Sequence, residues 1–205
     1  MITGNVKEFW KNISKQPNWI EYILPKRTAE EFDAEGKQEA QEILKRVDSD
    51  HVVVDYGCGI GRISKHVSEH VRRLVGVDVC ADFIEKARDR DPRTEYQTIE
   101  NFKEEGVSDF AYSIAVLQHN TEENRVLIMA NIHRILRPGG VCLITFAHGP
   151  AYREGAFLHK FSEEEIRELA KDFSDITIVP GNLVKYGGHP LPEGERNELI
   201  LIAKK

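Results

Sequence analysis

The sequence predicts an α/β fold: one doubly wound, mostly parallel seven-stranded sheet with a single antiparallel strand and helices on both faces. Three observations carry this expectation. The β-branched run Val52-Val53-Val54 leads through Asp55 into glycines at Gly57, Gly59 and Gly61, then into apolar residues at helical spacing. A second apolar run, Leu74–Asp78, again ends on an acid and is again followed by a helical pattern. Strand and helix patterns keep alternating as far as Val141–Phe146, as expected of parallel strands joined by crossover helices.

With 205 residues, one domain over 1–205 is the natural count. It divides into an N-terminal arm and helix (1–50), a glycine-turn core (51–147) and a closing helix with strands (148–205). Charged residues make up 30% and hydrophobic ones 40%, the balance of a soluble globule. A net charge of −6 argues against a general nucleic-acid partner, because phosphate affinity rests on clustered Lys and Arg. Three scattered cysteines give no disulfide framework and no C-x-x-C spacing. The start has no apolar signal region and no run is long enough for a bilayer, so the expectation is a cytoplasmic protein without a membrane partner.

Taken in order, the arm sets Phe9, Trp10, Trp19, Ile20, Tyr22 and Ile23 among Lys7, Lys11, Lys15, Lys26 and Arg27. It reads as an amphipathic segment whose aromatics pack on the domain, or as a lid. Thr28-x-x-Glu31 is a capping box opening a helix whose Phe32, Ala40, Ile43, Leu44 and Val47 face the sheet. After the glycine turn, Ile63, Val67 and Val71 form a helical stripe at spacing four. On that helix His66-Val-Ser-Glu69-His70 spells H-x-x-E-H, a zinc signature. The stripe lies one residue along, so the match reads as chance.

Strand two is Leu74–Asp78, and its helix uses Phe83, Ile84 and Ala87. Strand three, around Thr94–Ile99, ends at Glu100 and Asn101. Strand four runs through Ser108–Ser113 to Val116-Leu117-Gln118-His119. Asn120 then caps a helix with Glu123 as box partner and Val126, Met129, Ile132 and Leu136 as its stripe. Pro138-Gly139-Gly140 turns the chain into Val141–Phe146. Ser162-x-x-Glu165 caps a helix with Ile166, Leu169, Ala170 and Phe173. Strands at Ile176–Val179 and Leu199–Ala203 close the sheet around a Gly187-Gly188 turn.

The turn itself lacks the Gly-Lys-Ser/Thr ending of a P-loop, since Arg62 and Ile63 follow Gly61. It also fails the dinucleotide pattern G-x-G-x-x-G/A, whose third small residue falls at Arg62. What stands here is acid-x-Gly-x-Gly-x-Gly, and this resembles motif I of the class I (Rossmann-like) S-adenosylmethionine (SAM) dependent methyltransferases. Asp78 follows Gly61 by 17 residues (78 − 61), where nucleotide-binding α/β folds place a ribose-binding acid. Leu117-Gln118-His119 and Leu136-Arg137-Pro138-Gly139-Gly140 resemble motifs IV and V of the small-molecule members. The likeness covers about residues 50–147.

The resemblance implies SAM as cofactor. It assigns Asp55, Tyr56, Gly57, Cys58, Gly59 and Gly61 to the amino-acid end, Asp78 and Val79 to the ribose, and Glu100 with Asn101 to the adenine side. Val116, Leu117 and Gln118 would border the methyl group, with His119 as candidate general base if the acceptor starts protonated. His148, Tyr152, Arg153, His159 and Tyr186 rank below it as acceptor-side candidates. No cysteine follows strand four, and neither does Asn/Asp-Pro-Pro-Tyr/Phe, which directs the expectation away from base methylation and toward O or N of a small molecule. No metal is expected. The alternatives are a non-catalytic protein of this fold acting through a partner, and a nicotinamide oxidoreductase. Arg62 and the short chain count against the latter.

Overall fold

The computed structural model describes residues 4–23, 28–149, 158–181 and 198–205. Its strands hydrogen-bond in the order β3-β2-β1-β4-β5-β7-β6, a seven-stranded mixed sheet. The chain divides into two compact units, Met1–Glu104 and Glu105–Lys205, described in turn below.

In the first unit the β-branched run becomes β1 (Val52–Tyr56), buried at every position as a strand covered on both faces must be. It pairs in parallel with β2 (Arg73–Asp78), which pairs in parallel with β3 (Glu95–Thr98); Val54 lies opposite Val75, and Val75 opposite Glu95. Helix α5 (Ala81–Arg90) buries Phe83, Ile84 and Ala87, the face its spacing predicts. The arm folds as α1 (Gly4–Ser14) and α2 (Trp19–Ile23). Val6 and Ile13 are its buried anchors, and the Ser14 hydroxyl donates to Asp82 at 2.8 Å. Trp10 and Trp19 stand 6.2 and 6.0 Å from the Phe83 ring, so the arm's aromatics do pack on this unit, half-buried. Pro25, Lys26 and Arg27 lie outside the described residues.

Helix α3 (Ala29–Leu44) starts on the predicted capping box, with Thr28 and Glu31 bonding reciprocally. Its buried face carries an acid among Phe32, Gly36, Ala40 and Ile43. That acid, Glu39, accepts from Arg62 Nη2 at 2.6 Å, and the guanidinium lies 5.2 Å from the Phe32 ring centre. Gly36 has to be glycine, because a Cβ there would stand 2.5 Å from Arg62 Cγ and 2.6 Å from its carbonyl oxygen. The helix after the glycine turn is shorter than its stripe implies. α4 spans Ser64–Val67 and tightens into a 3-10 turn over Ser68–His70, so Val71 is outside it in extended backbone. His66 and His70 therefore share no α-helical face, and Glu69 is turned to Arg93 at 2.6 Å.

In the second unit β4 (Ser108–Ser113) pairs in parallel with β5 (Leu136–Ala147). β7 (Glu198–Lys204) runs antiparallel to both β5 and β6 (Ser174–Gly181), and is the one antiparallel strand among the described residues. Helix α6 (Glu122–Ile135) is capped one residue later than the sequence reading has it. Thr121 accepts from the Asn124 amide, while Asn120 Nδ2 donates back to the Val116 carbonyl. Its buried stripe is Asn124, Ile128, Met129, Ile132 and Ile135; Val126 is 55% exposed and Leu136 already belongs to β5. Opposite β4 the register jumps from Ser108↔Leu136 to Phe110↔Val141, so Arg137–Gly140 bulge out, with Gly139 at φ 80°. Helix α7 (Glu163–Leu169) opens on the Ser162/Glu165 capping box. Gly187 and Gly188 lie outside the described residues, and among those described no helix is long and apolar enough to cross a membrane.

Glu39→Ala leaves the Arg62 cation buried without its counter-charge and is expected to cost about 3–5 kcal/mol of stability in urea unfolding. The double change Glu39→Leu with Arg62→Met strands no charge and should cost far less. Equal losses in the two variants would show that shape, not charge, holds the pair.

Candidate functional site

The glycine turn is built from the strand ends beneath it. The Val77 carbonyl accepts both the Gly57 N–H (2.7 Å) and the Cys58 N–H (3.0 Å), which draws the chain leaving β1 across the end of β2. Gly57, Gly59 and Gly61 all take positive φ, at 87°, 54° and 72°. Alternate residues in left-handed backbone coil the chain tightly, and glycine accepts this without strain. A Cβ on Gly61 would also stand 2.2 Å from the Tyr96 hydroxyl, because the Tyr96 ring of β3 lies against Gly61 and Gly76.

Asp78 completes the turn. One carboxylate oxygen accepts the Gly59 N–H at 2.9 Å and the other the Cys80 N–H at 2.8 Å. The residue is 8% exposed; burial pushes its carboxyl up from the ordinary value of 3.8, and the amides of Cys80, Gly59 and Val79 pull it back down. An ionised carboxylate has about four lone-pair sites, so these amides do not exhaust its acceptor capacity. Asp55 is buried beside this group and accepts from the Ser64 hydroxyl, which fixes the start of α4 on β1.

The other residues assigned to the cofactor separate by exposure. Gly57, Gly59 and Val79 are half-buried, while Tyr56 and Cys58 are buried. The Cys58 thiol packs with Ile84, Ala87 and Tyr96, and burial with the charges of Asp55 and Asp78 raises its pKa well above the usual thiol value. Glu100 and Asn101 are exposed in the turn after β3, whose Ile99 amide donates to the Asp78 carbonyl at 2.9 Å. Glu100 accepts from the Lys7 ammonium of α1 at 2.6 Å, and that cation holds its carboxyl below the usual range.

In the second unit, the chain leaves β4 through Ala115 in left-handed backbone (φ 59°), its N–H donating to the Thr145 hydroxyl of β5 at 2.9 Å. A 3-10 turn over Leu117–His119 follows. Leu117 and Gln118 are 0% and 1% exposed, so they support this turn from within; Val116 and His119 are half-exposed and stand on its surface. His148 is held by Nδ1 on the Phe161 carbonyl at 2.8 Å, and His159 by Nε2 on Glu165 at 2.9 Å. Tyr152, Arg153 and Tyr186 lie outside the described residues. Sequence reasoning missed Ser64, Tyr96, Thr145 and the Arg62–Glu39 pair. For that pair the signal was an acid set inside the apolar stripe of α3.

Residues 54–144 match a protein family described as a methyltransferase domain. The chain is 28% identical over 115 residues to N-demethylindolmycin N-methyltransferase of Streptomyces griseus, across 51% of this chain and 48% of that protein. Over 98 residues it is 36% identical to the Mus musculus protein named probable tRNA methyltransferase 9B, across 45% of this chain and 21% of that one. Its fold superposes on phosphoethanolamine N-methyltransferase 1 of Haemonchus contortus, solved with phosphoethanolamine and S-adenosylhomocysteine. The TM-score is 0.74 at 18% identity, over 97% of this chain and 48% of that chain, a likeness of fold. The chain spans about half the length of the first curated relative and about a fifth of the second.

Gly61→Ala meets both the positive φ and the Tyr96 hydroxyl, and is expected to cost about 1–3 kcal/mol. Gly61→Ala combined with Tyr96→Phe removes the hydroxyl contact and should recover part of that loss in thermal unfolding. Gly59, with φ 54° but open space around it, should show the backbone cost alone when changed to Ala.

Proposed function

We propose that this chain, whose residues 54–144 match a methyltransferase-domain family and whose fold is like that of phosphoethanolamine N-methyltransferase 1, transfers a methyl group from SAM to oxygen or nitrogen of a small molecule. One observation carries the reading: Asp78, buried at the end of β2, is held by backbone amides on both carboxylate oxygens and keeps acceptor capacity beyond them. A carboxylate fixed in this way suits the two hydroxyls of a ribose. The positive-φ glycines let backbone N–H groups approach the amino-acid end of the cofactor without side-chain interference.

When bound, SAM supplies a methyl group on an already activated sulfonium. The residues then have to bind, align and exclude water, with a base needed only for a protonated acceptor. On the resemblance, Val116 and His119 face the acceptor side, with His119 the candidate base. The net charge of −6 and the absence of Asn/Asp-Pro-Pro-Tyr/Phe after β4 favour a small acceptor. None of the three cysteines is placed as a nucleophile, since all are buried. The relative named for tRNA methylation gives tRNA as the second reading.

The test is thermal unfolding with SAM, S-adenosylhomocysteine, NAD and ATP, on wild type and Asp78→Ala. A ligand at 100 times its dissociation constant stabilises by about 2.7 kcal/mol, a shift of roughly 2–4 °C at this size. Protection by the two adenosyl-sulfur ligands alone, lost in Asp78→Ala, supports the proposal; protection by NAD alone sinks it. Acceptor panels with labelled SAM then set small amines and alcohols against bulk tRNA.

Affinity for S-adenosylhomocysteine should also depend on pH with a definite sign. Ribose hydroxyls donate to the ionised form of Asp78, so affinity is full above its pKa and falls as pH drops through it. Because burial raises that pKa, the loss should begin at a higher pH than for an ordinary aspartate at 3.8, as read by calorimetric titration. An affinity independent of pH down to the ordinary aspartate range would contradict this role.

A further inference from the structure

The Leu117–His119 turn is held from behind by three hydrogen bonds to three successive carbonyls. Asn120 Nδ2 donates to the Val116 carbonyl at 2.9 Å, Arg125 Nε to the Leu117 carbonyl at 3.3 Å, and the His159 N–H to the Gln118 carbonyl at 2.9 Å. Arg125 is unlike the other two donors because it brings a charge. It stands in the first turn of α6, half-buried, with its guanidinium 5.0 Å from the Phe161 ring centre. Burial lowers its pKa from the ordinary 12.5, and Glu165 of α7 and Glu122 of α6 oppose that shift. Among the described residues it makes no ion pair within 4.0 Å, so its directed contacts are the ring and the carbonyl.

A charge-assisted bond is roughly twice as strong as a neutral one, and a planar guanidinium on an aromatic face is fixed in plane as well as position. Phe161 is itself fixed, buried with its amide on the Ala147 carbonyl at 2.9 Å and its ring 4.9 Å from Phe146 of β5. A chain of rigid contacts thus runs from β5 through Phe161 and Arg125 to the backbone that bears His119. At the other end of the turn, Ala115 is kept in left-handed backbone by Thr145 of the same strand.

We propose that Arg125 is a positioning residue: held over Phe161, it fixes the Leu117 carbonyl and thereby the orientation of the turn that presents His119. Its importance to methyl transfer rests on the function proposed above, but the physical coupling does not. The test therefore reads His119 directly, by the imidazole carbon–proton NMR signals of the full chain, assigned from their loss in His119→Gln. Arg125→Met keeps a flexible side chain against Phe161 and removes the donor; Arg125→Lys keeps a cation and a donor.

The expected result is a displaced or broadened His119 resonance in Arg125→Met, restored toward wild type in Arg125→Lys, with S-adenosylhomocysteine affinity unchanged in both. His119 signals in Arg125→Met identical to wild type overturn the proposal, as does Arg125→Lys behaving no better than Arg125→Met. If Arg125→Met does not fold, Arg125→Ala at low temperature gives the same comparison. Absence of SAM or S-adenosylhomocysteine binding in wild type would count against the proposed function alone, and the NMR comparison is read all the same. With an acceptor in hand, Arg125→Met should lose about 10- to 100-fold in kcat with little change in KM, the pattern of lost alignment.

Discussion

The carbonyl of Val77 and the carboxylate of Asp78 hold the first unit's turn in place. Between them they accept amides from Gly57, Cys58, Gly59 and Cys80. Backbone that coils through three positive-φ glycines has no regular ladder to satisfy its N–H groups, and a buried unpaired amide is costly. The end of β2 supplies the missing acceptors. This ties the geometry of the turn to the β1–β2 register, and the β2–β3 register then delivers the Tyr96 ring against Gly61 and Gly76. On its far side the turn continues into Arg62, whose pairing with Glu39 anchors α3. One short segment therefore links three strands and a helix.

Much of this was legible because it depends on local rules. β1 and β2 are short apolar runs ending at an acid or a turn, and the two capping boxes at Thr28 and Ser162 are read from three-residue spacings. Asp78 was legible too, since its place follows from strand length plus turn length. Boundaries depend on competition and were harder. Asn120 and Thr121 are both good caps, and Asn120 is drawn instead to the Val116 carbonyl. α4 stops at Val67 although the apolar spacing continues to Val71, because Val71 begins the approach to β2.

What stayed hidden are pairings between residues far apart in sequence. Arg62 and Glu39 are 23 positions apart, Ala115 and Thr145 are 30 apart, and each partner alone looks like an ordinary polar residue. Exposure likewise divides neighbours that sequence treats alike. In the 3-10 turn Leu117 and Gln118 go inward while His119 stays at the surface, because a tight turn of three residues cannot present them all to one side. The turn after β3 shows the same limit: Glu100 sits within reach of Lys7, a partner 93 positions away on the arm.

The burial of Cys58 has a consequence for how this chain reports on itself. Its sulfur is buried among Ile84, Ala87 and Tyr96, and that burial, with two nearby carboxylates, favours the neutral thiol. Reaction with an electrophile needs the thiolate and an open path, and the folded turn grants neither. Alkylation of Cys58 is therefore expected through molecules whose turn has come away from α5 and β3, so the labelling rate follows the population of that open form when reclosing is fast. The thiol is a native clock for the breathing of the glycine turn, and a ligand that clasps the turn would slow it.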